Sequence, residues 1–308
     1  MHSDKAVPTI QLKEGGPSVS RFVYGCWRQE ADPKGDNPER ILEKIETCLE
    51  LGIHTFDHAD RYGDFGNEEK FGKAIKLKPG IKDSITIVTK CGIRSYTQKG
   101  KKELTKYFDA SEDHILSSAE NSLKRLNVDS IDLLLIHRPD VLLKPEEVAS
   151  ALWKLRKSGK VHHFGVSNFS TSQFNLLQSA LDFPLVTNQI QFHPLHSLPL
   201  TDGTFDQALL LGHRPMIWSP AAGGKIFSPK TEAETKVYQA LKEIADYKSS
   251  TPDQILFAWH LAHPAGLVPV IGTNNLERLH SAARAFQVKL ERAEWYRIWE
   301  SGMTGVVS

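Results

Sequence analysis

Residues 131–137 read IDLLLIH, and five of the six residues before His137 are apolar. A strand with one wet face alternates apolar and polar positions. A run this continuous suits a strand covered on both faces, as in a parallel sheet wrapped by helices. Residues 85–88, ITIV, are of the same kind. Working outward, further strands are expected over residues 21–26, 54–58, 85–91, 162–167, Leu185–Gln191, 215–219 and 267–271. Amphipathic segments separate them. Residues 38–51 carry Ile41, Ile45, Cys48 and Leu49 on one helical face. Residues 111–126 open with a cap-like Ser-x-x-His, and Pro145–Lys157 has Pro at a first-turn position with Gly159 just beyond its end. Residues 234–247 and 276–286 have similar spacing, and Trp295, Tyr296 and Trp299 are spaced as on a final packed helix. Eight strands alternating with helices over 308 residues predict a (β/α)8 TIM barrel, one domain spanning 1–308. Outside that pattern, residues 9–18 are expected to form a hairpin at the barrel bottom. Residues 99–109 are expected to form a polar loop, and 302–308 a tail.

Bulk properties narrow the function. Lys and Arg number 38 against 37 Asp and Glu, a formal charge of +1, and no block of like charge points to nucleic acid or a membrane surface. The opening MHSDKAVPTIQLKEGG has no apolar core of a signal peptide. Cys26, Cys48 and Cys91 are odd in number and far apart, which fits a reduced cytoplasmic protein better than a disulfide framework or a Cys-rich zinc site.

TIM barrels work at the C-terminal ends of their strands. The second expected strand ends at Asp57, with Tyr62 a short loop beyond. The next ends at Lys90, 131–137 ends at His137, 162–167 runs into Ser167-Asn168, and the strand after it carries Gln189. A carboxylate, a phenol, an ammonium and an imidazole would share one rim. An adjacent ammonium favours the phenolate, and a buried carboxylate keeps the ammonium charged and in place. The imidazole can hydrogen-bond a substrate oxygen. Such a site would protonate an oxyanion developing on a carbonyl, given a source of hydride.

The ordered set FDHADRYG, VTKCG, LLIHRPD, FGVSNF, NQIQFHP and WSPAAGG resembles the aldo-keto reductase superfamily, and especially its bacterial oxidoreductase branch with FDHAD-x-YG. The resemblance runs from about residue 22 to 299. It implies a tetrad of Tyr62 as general acid, Lys90 as modulator of its pKa, Asp57 as the group orienting Lys90, and His137 positioning the carbonyl. It implies that Ser167, Asn168 and Gln189 hold a nicotinamide carboxamide, with the dinucleotide extended along the barrel rim. Trp218 stands where many members have a stacking Tyr. Ser219 and the loop 221–225, with Gly223, Gly224 and Lys225, would approach the pyrophosphate. In VIGTNNLER, Gly272 and Thr273 replace the Lys and Ser of the usual I-P-K-S, while Arg278 remains to meet a 2′-phosphate. NADPH is therefore expected, with NADH tolerated. By alignment, Gly25 and Cys26 lie near the cofactor. Trp27 is either a substrate wall or plain packing, and Phe65 is a second wall candidate. The expected partner is a small carbonyl compound, with monomer the default state.

Two other readings compete. A metal-dependent barrel hydrolase would use His54, His58 and Asp60, which lie near one strand. A cofactor-binding regulatory barrel would keep the fold without turnover. The H-x-x-H of His193 and His196 lacks an accompanying carboxylate or cysteine and reads as a polar loop, so no metal is expected. Asp60 is expected to support its loop. A short C-terminal end suggests an open pocket.

Overall fold

The computed structural model describes residues 7–95, 97–98, 101–102 and 104–303. The chain begins with an antiparallel hairpin, β1 (Thr9–Gln11) and β2 (Ser18–Ser20). The barrel strands β3 (Val23–Gly25), β4 (Thr55–Asp57) and β5 (Thr86–Cys91) follow. Two short ribbons come next: β6 (Ile93–Arg94) pairs with β9 (Tyr107–Phe108), and β7 (Thr97–Gln98) with β8 (Lys101–Lys102). The barrel resumes with β10 (Ile131–Ile136), β11 (Val161–Ser167), β12 (Leu185–Gln191), β13 (Met216–Trp218) and β14 (Val268–Ile271). All eight barrel strands pair in parallel, and Val270 of β14 against Val23 of β3 closes the ring. The expected (β/α)8 barrel is the fold observed. The expected strands keep their places and lose a residue or two at several ends.

The IDLLLI run explains itself here. Leu133 and Leu135 join Val23, Val88, Val186, Met216 and Val268 in the barrel interior. Leu134 and Ile136 face outward, against Ile115 and Ala119 of α3 (Glu112–Leu126) and Val148 and Leu152 of α4 (Pro145–Lys157). Both faces are dry, so both need apolar residues. Leu12 and Val19 of the hairpin are fully buried in the interior cluster and plug the bottom. Catalytic chemistry is thus left to the other end.

The remaining helices are α1 (Pro38–Glu50), α2 (Asn67–Lys76), α5 (Thr171–Ser179), α6 (Thr204–Leu211), α7 (Glu232–Tyr247), α8 (Pro252–Leu261), α9 (Leu276–Ala283) and α10 (Arg292–Ser301). Four depart from the expectation by being absent from it: α2, α5, α6 and α8. The case of α8, PDQILFAWHL, has a clear cause, because it is buried almost all round and so shows no amphipathic period. Helix α7 starts two residues before the expected 234. A reciprocal cap explains it: Thr231 Oγ1 accepts from Glu234 N–H at 3.3 Å, and Glu234 Oε2 accepts from Thr231 N–H at 3.1 Å. Helix α9 stops at Ala283 and continues to Gln287 only as a 3₁₀ turn. Ser111 sits at the N-cap of α3, but its hydroxyl donates to Asp109 Oδ1 at 2.6 Å and makes no cap bond. The stretch 99–109 ends in paired strand at Tyr107–Phe108 and is not simply a polar loop; residues 99, 100 and 103 lie outside the described residues, as do 304–308 of the expected tail. Among the described residues, no helix is long and apolar enough to cross a membrane.

Candidate active site

The strand ends deliver their polar residues into one cavity of about 830 Å³ at the top of the barrel. Asp57 is the last residue of β4, and Lys90 is the fifth residue of β5, paired with Leu135 of β10. Lys90 is fully buried, and its ammonium donates to Asp57 Oδ2 and to the His58 carbonyl, each at 2.7 Å. It also donates to the Tyr62 hydroxyl at 3.2 Å. Asp57 Oδ1 accepts from Gln189 Nε2 at 2.9 Å, so both carboxylate oxygens are engaged. Burial opposes the charge on Lys90, but the fields of Asp57 and Tyr62 outweigh it and hold its pKa above the ordinary lysine value.

Tyr62 arrives on a tight turn. Its N–H donates to the Ala59 carbonyl at 3.1 Å, and its own carbonyl accepts from Asn67 N–H at 3.2 Å. Gly63 has φ +58°, and a Cβ there would lie 2.0 Å from Asn67 Oδ1, so no other residue fits this turn without rearrangement. Burial pushes the Tyr62 phenol above its usual value, while Lys90 pulls it down. Lys90 alone would have lowered it, as expected from sequence; desolvation wins. The phenol therefore keeps its proton at neutral pH.

His137 follows β10 directly, and its ring lies edge-on to Tyr62 with centroids 5.9 Å apart. Burial, then Lys90, Arg138, Arg61 and Lys106, hold its pKa well below that of a free histidine. The imidazole is neutral and can donate one hydrogen bond into the cavity. Beside it, Trp218 Nε1 donates to Asn168 Oδ1 at 2.9 Å, and Ser167 Oγ donates to the Gln189 carbonyl at 2.8 Å.

A cavity with this rim can take an extended dinucleotide. Gly25, Gly223, Gly224 and Gly272 line it without side chains, and a Cβ on Gly25 would meet Val270 Cγ1 at 2.9 Å. Ser219, Gly223 and Gly224 take left-handed backbone angles that turn the chain along the rim. At the far end, Thr273 and Arg278 line the cavity where α9 begins, its N-terminus capped by Asn275.

A model of the aldo/keto reductase family matches residues 21–302. The chain belongs to the aldo/keto reductase family. An uncharacterized oxidoreductase of Bacillus subtilis, YcsN, is 41% identical over 94% of this chain and 96% of its own length. Oxidoreductase YdhF of Escherichia coli is 41% identical over 96% of this chain and 98% of its own. A 6-dehydroglucose reductase of Agrobacterium fabrum is 44% identical over 91% and 93%. Among solved structures, a thermostable aldo-keto reductase in complex with the inhibitor epalrestat superposes with a TM-score of 0.80 at 27% identity, covering 96% of this chain and all of that one. Family and relatives together make the protein an oxidoreductase, and aldo-keto reductases use nicotinamide cofactors.

Of the residues singled out in sequence, Asp57, Tyr62, His137, Ser167, Asn168, Gln189, Trp218, Ser219, Gly223, Gly224, Gly272, Thr273, Arg278, Gly25 and Trp27 line the cavity of this family member, with Lys90 directly behind. Three do not. Cys26 points inward, its Sγ 3.4 Å from His58 Nε2 and 1% exposed. Lys225 lies past the left-handed pair Gly223-Gly224 and projects to solvent. Phe65, itself at φ +72°, is half-buried off the cavity lining.

His54, His58 and Asp60 are not brought together either. His54 bonds Thr9 and Thr86 near the bottom, whereas His58 is buried against Cys26 and Phe71, with its pKa driven down to about 3 by burial and Lys90. The Asp60 N–H donates to the Lys90 carbonyl at 3.0 Å, which ties its loop to β5. Burial and then Glu68 push its carboxyl up to about 7. The sequence reading assigned no site role to Arg61, Lys106, Arg138 or Glu277, which also line the cavity. Arg61 and Arg138 directly adjoin Tyr62 and a strand-end histidine, a position that could have flagged both. Of residues 300–308, only 300–303 are described, and none of those four lines the cavity.

Proposed function

We propose that this aldo/keto reductase reduces an aldehyde or ketone to an alcohol with NADPH, Tyr62 acting as the general acid. One arrangement carries the reading: a buried ammonium held between a carboxylate at 2.7 Å and a phenol at 3.2 Å, the phenol facing a cavity. When bound, reduced nicotinamide supplies a hydride to the carbonyl carbon. Tyr62 gives its proton to the carbonyl oxygen as negative charge builds there, and Lys90 stabilises the phenolate left behind. Asp57 keeps Lys90 charged and aimed. Neutral His137 donates to the same oxygen and orients the carbonyl. Ser167, Asn168 and Gln189 would hold the carboxamide, Trp218 would stack on the ring, and Gly223-Gly224 would take the pyrophosphate.

Arg278 and Thr273 favour a 2′-phosphate at the far end. Glu277 lines the same end and carries the opposite charge, which supports NADH as a second substrate. The regulatory reading requires cofactor binding without turnover. The direct experiment follows NADPH absorbance on mixing with a reactive aromatic aldehyde, beside Tyr62→Phe. The expected result is turnover in the parent and a loss of about 10²–10⁴-fold in the variant, with cofactor affinity retained. A Phe variant with near-parental kcat would end the acid role; cofactor binding with no parental turnover would favour the regulatory barrel.

A further inference from the structure

The carbonyl end of the cavity is lined by Arg61, Lys106 and Arg138, close to Tyr62 and His137. Elsewhere in the barrel, Arg40 pairs with Asp32, Arg94 with Asp109 and Arg125 with Glu68, whereas the partly buried Arg21, Arg28 and Arg214 donate to backbone carbonyls. Among the described residues, none of the three cavity cations forms an ion pair. Arg61 Nη2 donates to the Ser95 hydroxyl at 3.3 Å, while its Nε is buried with no acceptor. The half-buried Arg138 guanidinium lies over the Trp218 ring, 5.7 Å from the centroid. Asp57 is the acid at this end, and both its oxygens are committed to Lys90 and Gln189. Arg61 and Arg138 are half-buried, and holding such cations without an anion is costly, to which the orphaned Arg61 N–H adds; Lys106 is exposed and contributes charge alone.

We propose that Arg61, Lys106 and Arg138 form a subsite for a carboxylate on the carbonyl substrate, so that the preferred substrate is a short oxo acid. The proposal rests on the carbonyl-reduction reading and extends it to substrate class. The cofactor's own phosphates do not account for these cations, because the groups suited to them, Gly223, Gly224, Thr273 and Arg278, line other parts of the cavity. A guanidinium fork matches a carboxylate in shape as well as charge, and both Arg61 and Arg138 line the cavity. The same positive field acts on His137, whose pKa all three cations lower. An arriving carboxylate would relieve that field without disturbing the imidazole's role as donor.

The test uses a matched set of aldehydes, 4-oxobutanoate, its neutral methyl ester and butanal, with NADPH and the full chain. The expected order of kcat/KM is 4-oxobutanoate first, ahead of the methyl ester by about tenfold or more, the worth of one charge-assisted contact. Added salt should narrow that gap. Lys106→Gln and Arg138→Gln should each shrink the ratio of 4-oxobutanoate to butanal, and Lys106→Glu should shrink it further. If the methyl ester equals or exceeds 4-oxobutanoate in the parent protein, the wall takes neutral oxygens and the proposal fails, though the reductase reading stands. If none of the aldehydes is reduced, that reading fails instead. The subsite is then judged by tryptophan fluorescence with NADP⁺ present, titrating 4-hydroxybutanoate against butane-1,4-diol. Tighter, salt-sensitive binding of the acid upholds the subsite, and equal binding overturns it.

Discussion

Two lysines are buried in the described part of this barrel, and they make the same ion pair. Lys44 on α1 is 2% exposed with Nζ 2.7 Å from Asp32, and Lys90 on β5 is 0% exposed with Nζ 2.7 Å from Asp57. They differ in their further partners. Lys44 donates to the side-chain oxygen of Asn274 at 2.9 Å, and Arg40 donates to Asp32 and to the Asn274 backbone, so every charge is spent on holding the loop after β14. Lys90 donates to a phenol that lines the cavity. A buried ion pair is therefore not a mark of chemistry in itself. The distinguishing feature is whether the pair hands its field to a group that can gain or lose a proton in front of a substrate.

Replacing each lysine by methionine separates the two pairs and carries the largest expected effects. Lys90→Met leaves the buried Asp57 without a cation and should cost about 3–5 kcal/mol of stability, whereas Lys44→Met leaves Asp32 its Arg40 partner and should cost less. Lys90→Met should also lower kcat by about 10²-fold or more, because Tyr62 loses the cation that stabilises its phenolate. Lys44→Met should leave kcat, measured per folded protein at saturating cofactor, within a fewfold of the parent. Denaturant midpoints and steady-state rates read both. Equal loss of kcat in the two variants would mean that the pairs are not different in kind.

Acid sharpens the same contrast. Burial works against the Asp32 carboxylate, but hydrogen bonds from Lys44, the Lys34 N–H and Arg40 overcome it and lower its pKa from 3.8 to about 2. Its folded value lies below its unfolded value, so the stability it contributes is complete above pH about 4. That stability is lost as pH falls through about 2. Denaturation midpoints of the parent protein should drop over that window, and Lys44→Met should show a shallower drop because its Asp32 is less depressed. Parallel curves would remove Lys44 as the cause.

How much could be read beforehand follows from what each residue's neighbours are. The barrel was legible because strands covered on both faces must be apolar throughout, as 131–136 is. The meeting of Asp57, Tyr62, Lys90 and His137 was legible because strand ends are positions that a linear sequence exposes. Helix α8 was not, since burial all round erases its period. Lys44 had a signal that went unused: it sits within the apolar stripe of Ile41, Ile45 and Cys48, where a solvated lysine would not belong. Lys106 had none, because it approaches the cavity just before β9, in a stretch read as a polar loop. The roles of Cys26, Lys225 and Phe65 were inferred from alignment alone, and side-chain direction at a turn is set by φ and by packing that a sequence does not display.

The smallest expected effect tests how far the Lys44 pair reaches toward the site. Asn274, which Lys44 and Arg40 hold, lies between Thr273 and the α9 helix that carries Arg278, and its side-chain amide donates to the Arg28 carbonyl at 2.8 Å. The structural pair thus braces the loop proposed to meet a 2′-phosphate. Arg278→Ala should weaken NADPH about tenfold, the worth of one charged contact, and leave NADH nearly unchanged. Fluorescence titration with both cofactors measures it. An equal loss for both would mean that Arg278 supports the helix end and does not read the phosphate. Unequal loss would give the two buried lysines complementary duties in one reaction, Lys90 at the proton and Lys44, through Asn274, at the far end of the hydride donor.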